Sequence, residues 1–459
     1  MVMSKLHVTA VKALGLVLAS LSCSGSATAA VAASPAPVEI KAELDRSDLK
    51  AGERQKAYLR IVIGAARRND ANRAPMNIAL VIDRSGSMSA FGRIENARRA
   101  ALMAVDRLGR NDILSVVSYD DKVEIEMPAT KVTSPERFKE RIERLTPRGS
   151  TAIHAGLLAG ANEVRKFKSS DRVNRIILLS DGLANVGPSK PSDFVSLGRE
   201  LASEGITVST IGLGNGYNED LMAGLARSAD GSHAFVQESA DLTGFLAREF
   251  DDALGIVGQE VEIIITLKEG VKPTRGLGRD AEIRGDRLVY KVGALFGGAE
   301  QVLLAELDVA ALSVQDASDI ASVELSYNDA ASGKRLSIVT TAGARFVESR
   351  DVSEKSVNPI VARDVTTLQS REVRQDAIRL RDAGRSEEAK AKFESNARFI
   401  KEQQAKLPAA AKAYAPLDNE LKASEAAASP AAQSKDEWNK QRKVQRQYDS
   451  NQSGASVKY

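Results

Sequence analysis

The sequence predicts an α/β protein: a doubly wound, mostly parallel sheet inserted into a β-sandwich and followed by a C-terminal helical hairpin. Three observations carry this. The runs Asn77-Ile78-Ala79-Leu80-Val81-Ile82 and Arg175-Ile176-Ile177-Leu178-Leu179 are short, continuous and rich in branched residues, as parallel strands buried on both faces must be. Helical patterns separate such runs, and strand–helix alternation implies a parallel sheet with helices on both faces. Period-two patterns flank this region on both sides, and a lone pair of strands is barely stable, so the flanks need each other.

The elements follow in order. Val38, Ile40, Ala42 and Leu44 share one strand face, as do Leu59, Ile61 and Ile63. After the strand at 77–82, residues Arg93 to Leu108 carry Ile94, Ala97, Ala101, Met103, Ala104 and Leu108 at helical spacing. Asp112 to Tyr119 reads as a strand and Lys122 to Met127 as an edge strand. Ser134-Pro135-Glu136 opens a helix running to Leu145. Ile153 to Phe167 is a helix leading to the strand that ends at Asp181. Pro191 to Glu204 is the next helix, stopped by Gly205, and Ile206 to Gly212 the next strand. Asn218 to Ala229 and Ala240 to Leu254 are helices around a short strand at His233 to Val236. Alternation then returns in Val261, Ile263, Ile265 and Leu267, in Leu288, Tyr290 and Val292, and through 301–309, 322–327 and 335–341. This spacing suggests a sandwich of about seven strands. Pro359 to Asp382 is helical, Ala383-Gly384 is a C-cap signal, and Ser386 starts a second helix to Gln404. The expected organisation is a signal peptide at 1–29, a sandwich from 36–66 plus 257–348, the α/β domain at 75–256, the hairpin at 357–406, and a low-complexity, partly disordered tail at 407–459. Both ends of the insert are expected opposite the carboxyl edge of the sheet.

The chemistry is expected at that carboxyl edge. Asp83-Arg84-Ser85-Gly86-Ser87 follows the first buried strand, and Ser180-Asp181-Gly182 ends another. Between them, Arg148-Gly149-Ser150-Thr151-Ala152 is a small-residue loop entering a helix. If the strand order is the usual one, the two Asp-bearing strands are neighbours at the switch point where ligands bind in open sheets. Carboxylate and hydroxyl oxygens are hard donors, suited to a hard divalent cation. With two formal charges, from Asp83 and Asp181, the set suits magnesium, which keeps waters beside one or two carboxylates and so leaves room for an outside oxygen. The competing structural reading is that the Asp residues cap helices and the hydroxyls satisfy turns. Capping does not require all five positions together.

Asp-x-Ser-x-Ser, then a Thr, then an Asp, in that order and topology, resembles the metal-ion-dependent adhesion site of a von Willebrand factor A domain. The resemblance implies that Ser85, Ser87 and Thr151 bind the ion directly. Asp83 and Asp181 would act directly or through water. It also implies a partner protein that supplies a carboxylate. The ion implied is Mg2+, with Mn2+ or Ca2+ as alternatives. The sandwich-plus-insert layout resembles bacterial A-domain proteins labelled calcium-activated chloride channel homologues, and more distantly the inter-alpha-trypsin inhibitor heavy chains.

Other features bound the function. Lys5 and Lys12 precede the apolar stretch Ala13 to Leu21, and Ala27-Thr28-Ala29 follows, the layout of a cleaved secretory signal. A periplasmic or secreted protein is expected. The single cysteine, Cys23, falls inside that segment, so the mature chain has no disulfide. Cys23 fits a lipid-attachment site poorly. No later apolar run is long enough for a membrane span. The net charge of +3 gives no electrostatic case for nucleic-acid binding. Gly212-Leu213-Gly214-Asn215-Gly216 does not match a dinucleotide loop and reads as a turn, and no nucleotide-binding Gly-Lys-Ser/Thr loop occurs.

The expected function is a non-enzymatic, cation-dependent protein-binding module. The alternative is a component of an envelope transport, channel or hydrolytic assembly. The three histidines, His7, His154 and His233, lack zinc-protease spacing. His154 follows the candidate Thr and reads as a helix-surface residue rather than a ligand contact. Arg84 is expected to pair locally rather than attract an acidic ligand. The basic run Lys440 to Arg446 reads as a solvated tail, and Trp438 as either a partner anchor or a local packing contact. Composition leaves the oligomeric state open.

Overall fold

The computed structural model describes residues 38–67, 73–408, 415–429, 434, 437–439 and 441–446. The expected signal peptide and Cys23 lie outside the described residues.

The central sheet has six strands: β4 (Met76–Asp83), β5 (Ile113–Tyr119), β6 (Val123–Lys131), β7 (Val173–Ser180), β8 (Thr207–Leu213) and β9 (His233–Val236), in the order β6-β5-β4-β7-β8-β9. All pairs are parallel except β5 with the edge strand β6. Every residue of β4, β5, β7 and β8 is buried, which is why these strands read as unbroken apolar runs. Helices α1 (Arg93–Asp106), α2 (Pro135–Glu143) and α6 (Leu242–Leu254) pack on one face, with Ile94, Phe138 and Phe250 in its core. Helices α3 (Ile153–Arg165), α4 (Pro191–Ser203) and α5 (Glu219–Ser228) pack on the other, with Leu157, Phe194 and Leu225. The sheet is therefore doubly wound. The chain leaves β4 to build β5 and β6 on one side, then crosses to β7 on the other, so the order reverses between β4 and β7.

Two sheets, antiparallel except where β2 pairs in parallel with β16, share a second core. One has the order β1-β3-β14-β11 and the other β12-β13-β10-β15-β16-β2. Their strands are β1 (Val38–Leu44), β2 (Asp48–Lys50), β3 (Gln55–Ala65), β10 (Ile256–Leu267), β11 (Val271–Leu277), β12 (Glu282–Arg284), β13 (Arg287–Phe296), β14 (Ala299–Val309), β15 (Gln315–Asp329) and β16 (Arg335–Val347). Leu59, Ile61 and Ile63 of β3 meet Ile263, Ile265 and Val323 of the facing sheet in that core. Strands from before and after the α/β insert thus complete one sandwich. It has more strands than the alternation suggested. β2 and β12 are three residues each, and β11 contains Pro273 and Gly276, residues that normally argue against a strand. The sandwich meets the insert at the amino edge of the parallel sheet, where Ala74, Met76 and Val173 share a core with Ile256, Ala294 and Phe296. The carboxyl edge is left to the site.

At the C-terminal side, α8 (Pro359–Asp382) and α9 (Ser386–Lys406) form the expected hairpin, with Gly384 in the left-handed conformation at the turn. The hairpin is fastened to the sandwich by the buried Arg60–Asp364 pair at 2.7 Å and by Val361 and Val365 against Leu277 and Leu304. A third helix, α10 (Ala415–Ala428), lies within the stretch expected as tail. It packs through Leu417 against Ile400 and Leu407 and through Ala427 against Phe393, and buried polar contacts add to this. Glu420 bonds Arg374 at 2.8 Å and Arg371 at 3.1 Å, and Asn396 donates to Ser424 Oγ at 3.0 Å. Trp438 packs edge-on against Phe393 and under the Arg381 guanidinium, so its role is local packing.

The basic run near the carboxyl end departs from expectation. Lys443 is buried, with Nζ 2.7 Å from Glu219 Oε2 and 3.1 Å from the Tyr217 carbonyl, and 4.2 Å over the Tyr217 ring. Arg442 also pairs with Glu219, and Arg446 with Asp220 at 3.0 Å. Acidic residues in the first turn of α5 supply the counter-charge, and a reading of local composition cannot see them.

Candidate functional site

The five candidate ligands converge at the carboxyl edge, between β4 and β7. Asp83 is the last residue of β4, and Ser85 and Ser87 lie in the turn after it. The parallel register aligns Ile82 with Leu179, so Asp83 lies beside Ser180, and Asp181 follows directly. Thr151 comes in from the opposite face, two residues before α3. Its placement depends on how closely α3 approaches the sheet. A Cβ at Gly160 would lie 2.5 Å from Val81 Cγ2, and one at Gly156 2.6 Å from the Tyr119 ring, so only glycines allow this contact. The loop before α3 is tied down by Gly86 N–H to the Gly149 carbonyl at 3.1 Å and Ala152 N–H to the Asp120 carbonyl at 2.7 Å. Asn185 Oδ1 accepts from the Thr151 N–H at 2.7 Å.

The side chains form one connected array. Asp83 Oδ1 accepts from the Ser85 N–H at 2.8 Å, and Oδ2 from the Ser180 hydroxyl at 2.7 Å. The Ser85 and Ser87 hydroxyl oxygens are 3.0 Å apart. Ser87 Oγ donates to Asp181 Oδ1 at 2.6 Å, and Arg93 Nη1 donates to Asp181 Oδ2 at 2.6 Å. Gly182 keeps the middle clear: a Cβ there would sit 3.2 Å from Thr151 Oγ1 and 3.6 Å from Ser87 Oγ. Asp83, Ser85, Thr151 and Asp181 are buried, whereas Ser87 is exposed and marks where the array opens to solvent. Desolvation pushes the Asp83 carboxyl up to about 6, against the hydrogen bonds from Ser180 and Ser85, and the neighbouring Asp181 adds to the rise.

Two arginines border the array. Arg84 turns away and is buried against Asp120 at 2.9 Å, Glu124 at 2.7 Å and Glu126 at 3.4 Å, the local pairing expected of it. Arg93 was not singled out from sequence. It occupies the first position of α1, where a cation opposes the helix dipole, and that misplacement is the signal that could have drawn attention to it. Ser180 and Asn185 were likewise missed, because their contacts come from strand register and loop packing. His154 is not among the ligands; it stacks edge-on with Phe194 at 5.5 Å. His233 is fully buried, with Nδ1 2.8 Å from Thr210 Oγ1 and Nε2 3.1 Å from Tyr217 Oη, and burial pushes it down to about 3.

A cavity of about 940 Å³ lies elsewhere, where α4, α5, the β11–β13 edge and α8 meet. None of the five candidate ligands lines it. Its walls carry charges that are largely matched within the chain, Arg279 with Asp230 and Arg446 with Asp220 among them. It is a domain junction rather than a charged receptor.

The geometry fits a divalent cation on the chemistry of its donors. Three hydroxyls and two carboxylates gather at the carboxyl edge beside the exposed Ser87, one carboxylate is desolvated without a cation of its own, and a glycine leaves the space between Thr151 Oγ1 and Ser87 Oγ unfilled. Comparisons with known proteins point the same way. Residues 77–248 match the von Willebrand factor type A domain family. An uncharacterised Synechocystis protein, sll0103, is 30% identical over 308 residues, covering 65% of this chain and 72% of that one. The chain belongs to the von Willebrand factor type A domain family. Inter-alpha-trypsin inhibitor heavy chain H3 of Pongo abelii is 28% identical over 200 residues, which is 41% of this chain and 22% of that protein. Among solved structures, a von Willebrand factor type A protein from Catenulispora acidiphila superposes with a TM-score of 0.69 at 18% identity, covering 84% of this chain and 89% of that one. That match shows that the fold extends beyond the A domain itself. Domains of this family bind a divalent metal and often mediate protein–protein interaction through it.

Proposed function

We propose that this protein is a non-enzymatic binding module. Its A domain uses Asp83, Ser85, Ser87, Thr151 and Asp181 to hold a Mg2+ ion, and a partner protein's Asp or Glu side chain completes the coordination. Asp83 has both oxygens engaged by Ser85 and Ser180, which suits a role through water. The hydroxyls of Ser85, Ser87 and Thr151 are neutral donors. No more than the two carboxylate charges therefore offset the ion, and Mg2+ keeps coordination positions for water or an outside oxygen. The single observation that carries the reading is the linked Ser85–Ser87–Asp181 array opening to solvent at Ser87, beside a desolvated Asp83. Mn2+ and Ca2+ use the same oxygen donors and are the alternatives to Mg2+.

Among the described residues no helix is long and apolar enough to cross a membrane. The N-terminal layout of Lys5, Lys12 and Ala27-Thr28-Ala29 supports export to the periplasm or beyond. The test is a pull-down from envelope extract in Mg2+ and in EDTA, with Asp181→Ala as control. A partner retained only with metal and intact Asp181 supports the reading. Partners indifferent to both would move the function to the sandwich and the C-terminal helices.

A further inference from the structure

The glycine-rich turn at 212–216 leaves β8, enters α5 and lies against the candidate site. A Cβ at Gly216 would be 3.0 Å from the Asp181 carbonyl oxygen, and one at Gly214 would be 2.7 Å from Arg93 Nη2. Gly214 also has φ 64°, which glycine adopts without strain. The turn therefore backs both Asp181 and the guanidinium that donates to the Asp181 carboxylate at 2.6 Å. Asn215 and Gly216 at its tip are exposed, and the Gly214 N–H donates to the Val236 carbonyl at 2.8 Å.

Directly after the turn, Tyr217 is gripped by a segment more than 200 positions away in sequence. Lys443 Nζ donates to the Tyr217 carbonyl at 3.1 Å and to Glu219 at 2.7 Å, and it stands 4.2 Å from the Tyr217 ring centre. The Tyr217 ring in turn fills the space over Gly212, where a Cβ would collide with it. Arg442 pairs with Glu219 and, at 3.1 Å, with Asp382 at the end of α8. Trp438 sits on the helical hairpin against Phe393. The segment thus has one end on the hairpin and the other on the start of α5.

The grip on α5 is built to let go. It consists of ion pairs, and the attraction within a buried pair is largely offset by the loss of hydration. Val444 is 53% exposed and adds little apolar burial. The side-chain oxygens of Gln441 and Gln445 are buried with no hydrogen-bond partner among the described residues, and both would regain one in water.

We propose that residues 442–446 are a releasable strap. Docked, the strap holds Tyr217 and the preceding turn against Asp181 and Arg93. Released, it frees the turn and removes the backing of Asp181. Strap docking and cation binding at Asp181 are then linked, and each strengthens the other. The linkage rests on the cation reading above, whereas the strap itself does not.

The test uses the full chain, Lys443→Met and the milder Arg446→Gln, each verified as folded by circular dichroism. Amide hydrogen exchange read by mass spectrometry follows the turn, and Mn2+ electron paramagnetic resonance follows the site. The expected result in Lys443→Met is exchange about tenfold faster at 214–218, with β4 and β5 unchanged. Arg446→Gln should show a smaller rise at the same amides. Mn2+ binding should be about fivefold weaker in Lys443→Met, and saturating Mn2+ should slow exchange at 441–446 in the parent. Unchanged exchange at 214–218 in both variants would overturn the strap. Faster exchange there with Mn2+ affinity equal to the parent's would overturn the linkage. Absence of Mn2+ binding by the folded parent would overturn the cation reading and the linkage with it, and the exchange at 214–218 would still decide the strap.

Discussion

The A domain holds two groups of buried carboxylates that differ in how their charge is met. At the start of α5, Glu219 is enclosed by Lys443 and Arg442 from the chain's own carboxyl end. Burial acts to raise its carboxyl, and the two cations override that and hold it below the usual range. At the carboxyl edge of the sheet, Asp83 is buried with hydroxyl and amide partners, and burial drives it up to about 6. Arg93 answers one oxygen of Asp181. The first group is electrostatically closed by the protein itself and fastens a tail. The second lacks a cation beside Asp83 and opens at Ser87, which suits the cation proposed there.

The closed region should be the more sensitive to acid. Its neighbour His233 is fully buried and held to about 3, so below the ordinary histidine range the unfolded chain binds a proton that the folded chain does not. Stability is therefore fully present above about pH 6.5 and falls by about 1.4 kcal/mol per unit as pH drops toward 3, on the order of 4 kcal/mol in total. Denaturant melts of the parent and of His233→Gln at pH 7, 5 and 4 measure this. Equal pH slopes in both would show that His233 is not the cause.

Breaking the closed pair should come next in size. Glu219→Gln leaves two cations facing a neutral group and is expected to cost about 3 kcal/mol. Trp438 is the only tryptophan and lies with the same C-terminal segment, so its emission should shift to the red at lower denaturant as the segment leaves. The double variant Glu219→Leu with Lys443→Met should recover part of the loss, because an apolar pair can replace a buried ion pair. No recovery would mean that Arg442 carries the contact.

The open region should respond to metal instead. At a Mg2+ concentration 100 times the dissociation constant, the parent gains about 2.7 kcal/mol of stability, and Asp83→Asn should gain none. The smallest effect is expected at Arg93. Removing its charge in Arg93→Gln takes a cation from beside Asp181 and should tighten Mn2+ binding by about fivefold. Weaker binding would show that Arg93 supports the site by orienting Asp181.

The same contrast explains what the sequence made legible. The gathering of Asp83, Ser85, Ser87, Thr151 and Asp181 at one edge was readable because each lies just after a strand or just before a helix whose apolar pattern is unbroken. The doubly wound sheet followed from the same runs. Ser180 and Asn185 were not readable, since strand register and loop packing bring them to the ligands, whereas Arg93 left only the faint signal of a cation at a helix start. Lys443 was misread because its partner Glu219 is 224 positions away. Helix α10 escaped notice because its buried face mixes Leu417 and Ala427 with Glu420 and Ser424, whose partners lie on the other two helices. Apolar periodicity reports the core, and polar complementarity between distant segments needs the fold.

The most direct test of the account is titration of the full chain with Mn2+, followed by electron paramagnetic resonance, alongside Asp181→Ala verified as folded by circular dichroism. One saturable site per chain, displaced by Mg2+ and lost in Asp181→Ala, is the expected result. No saturable binding by the parent at millimolar Mn2+, or equal binding by the variant, would contradict it.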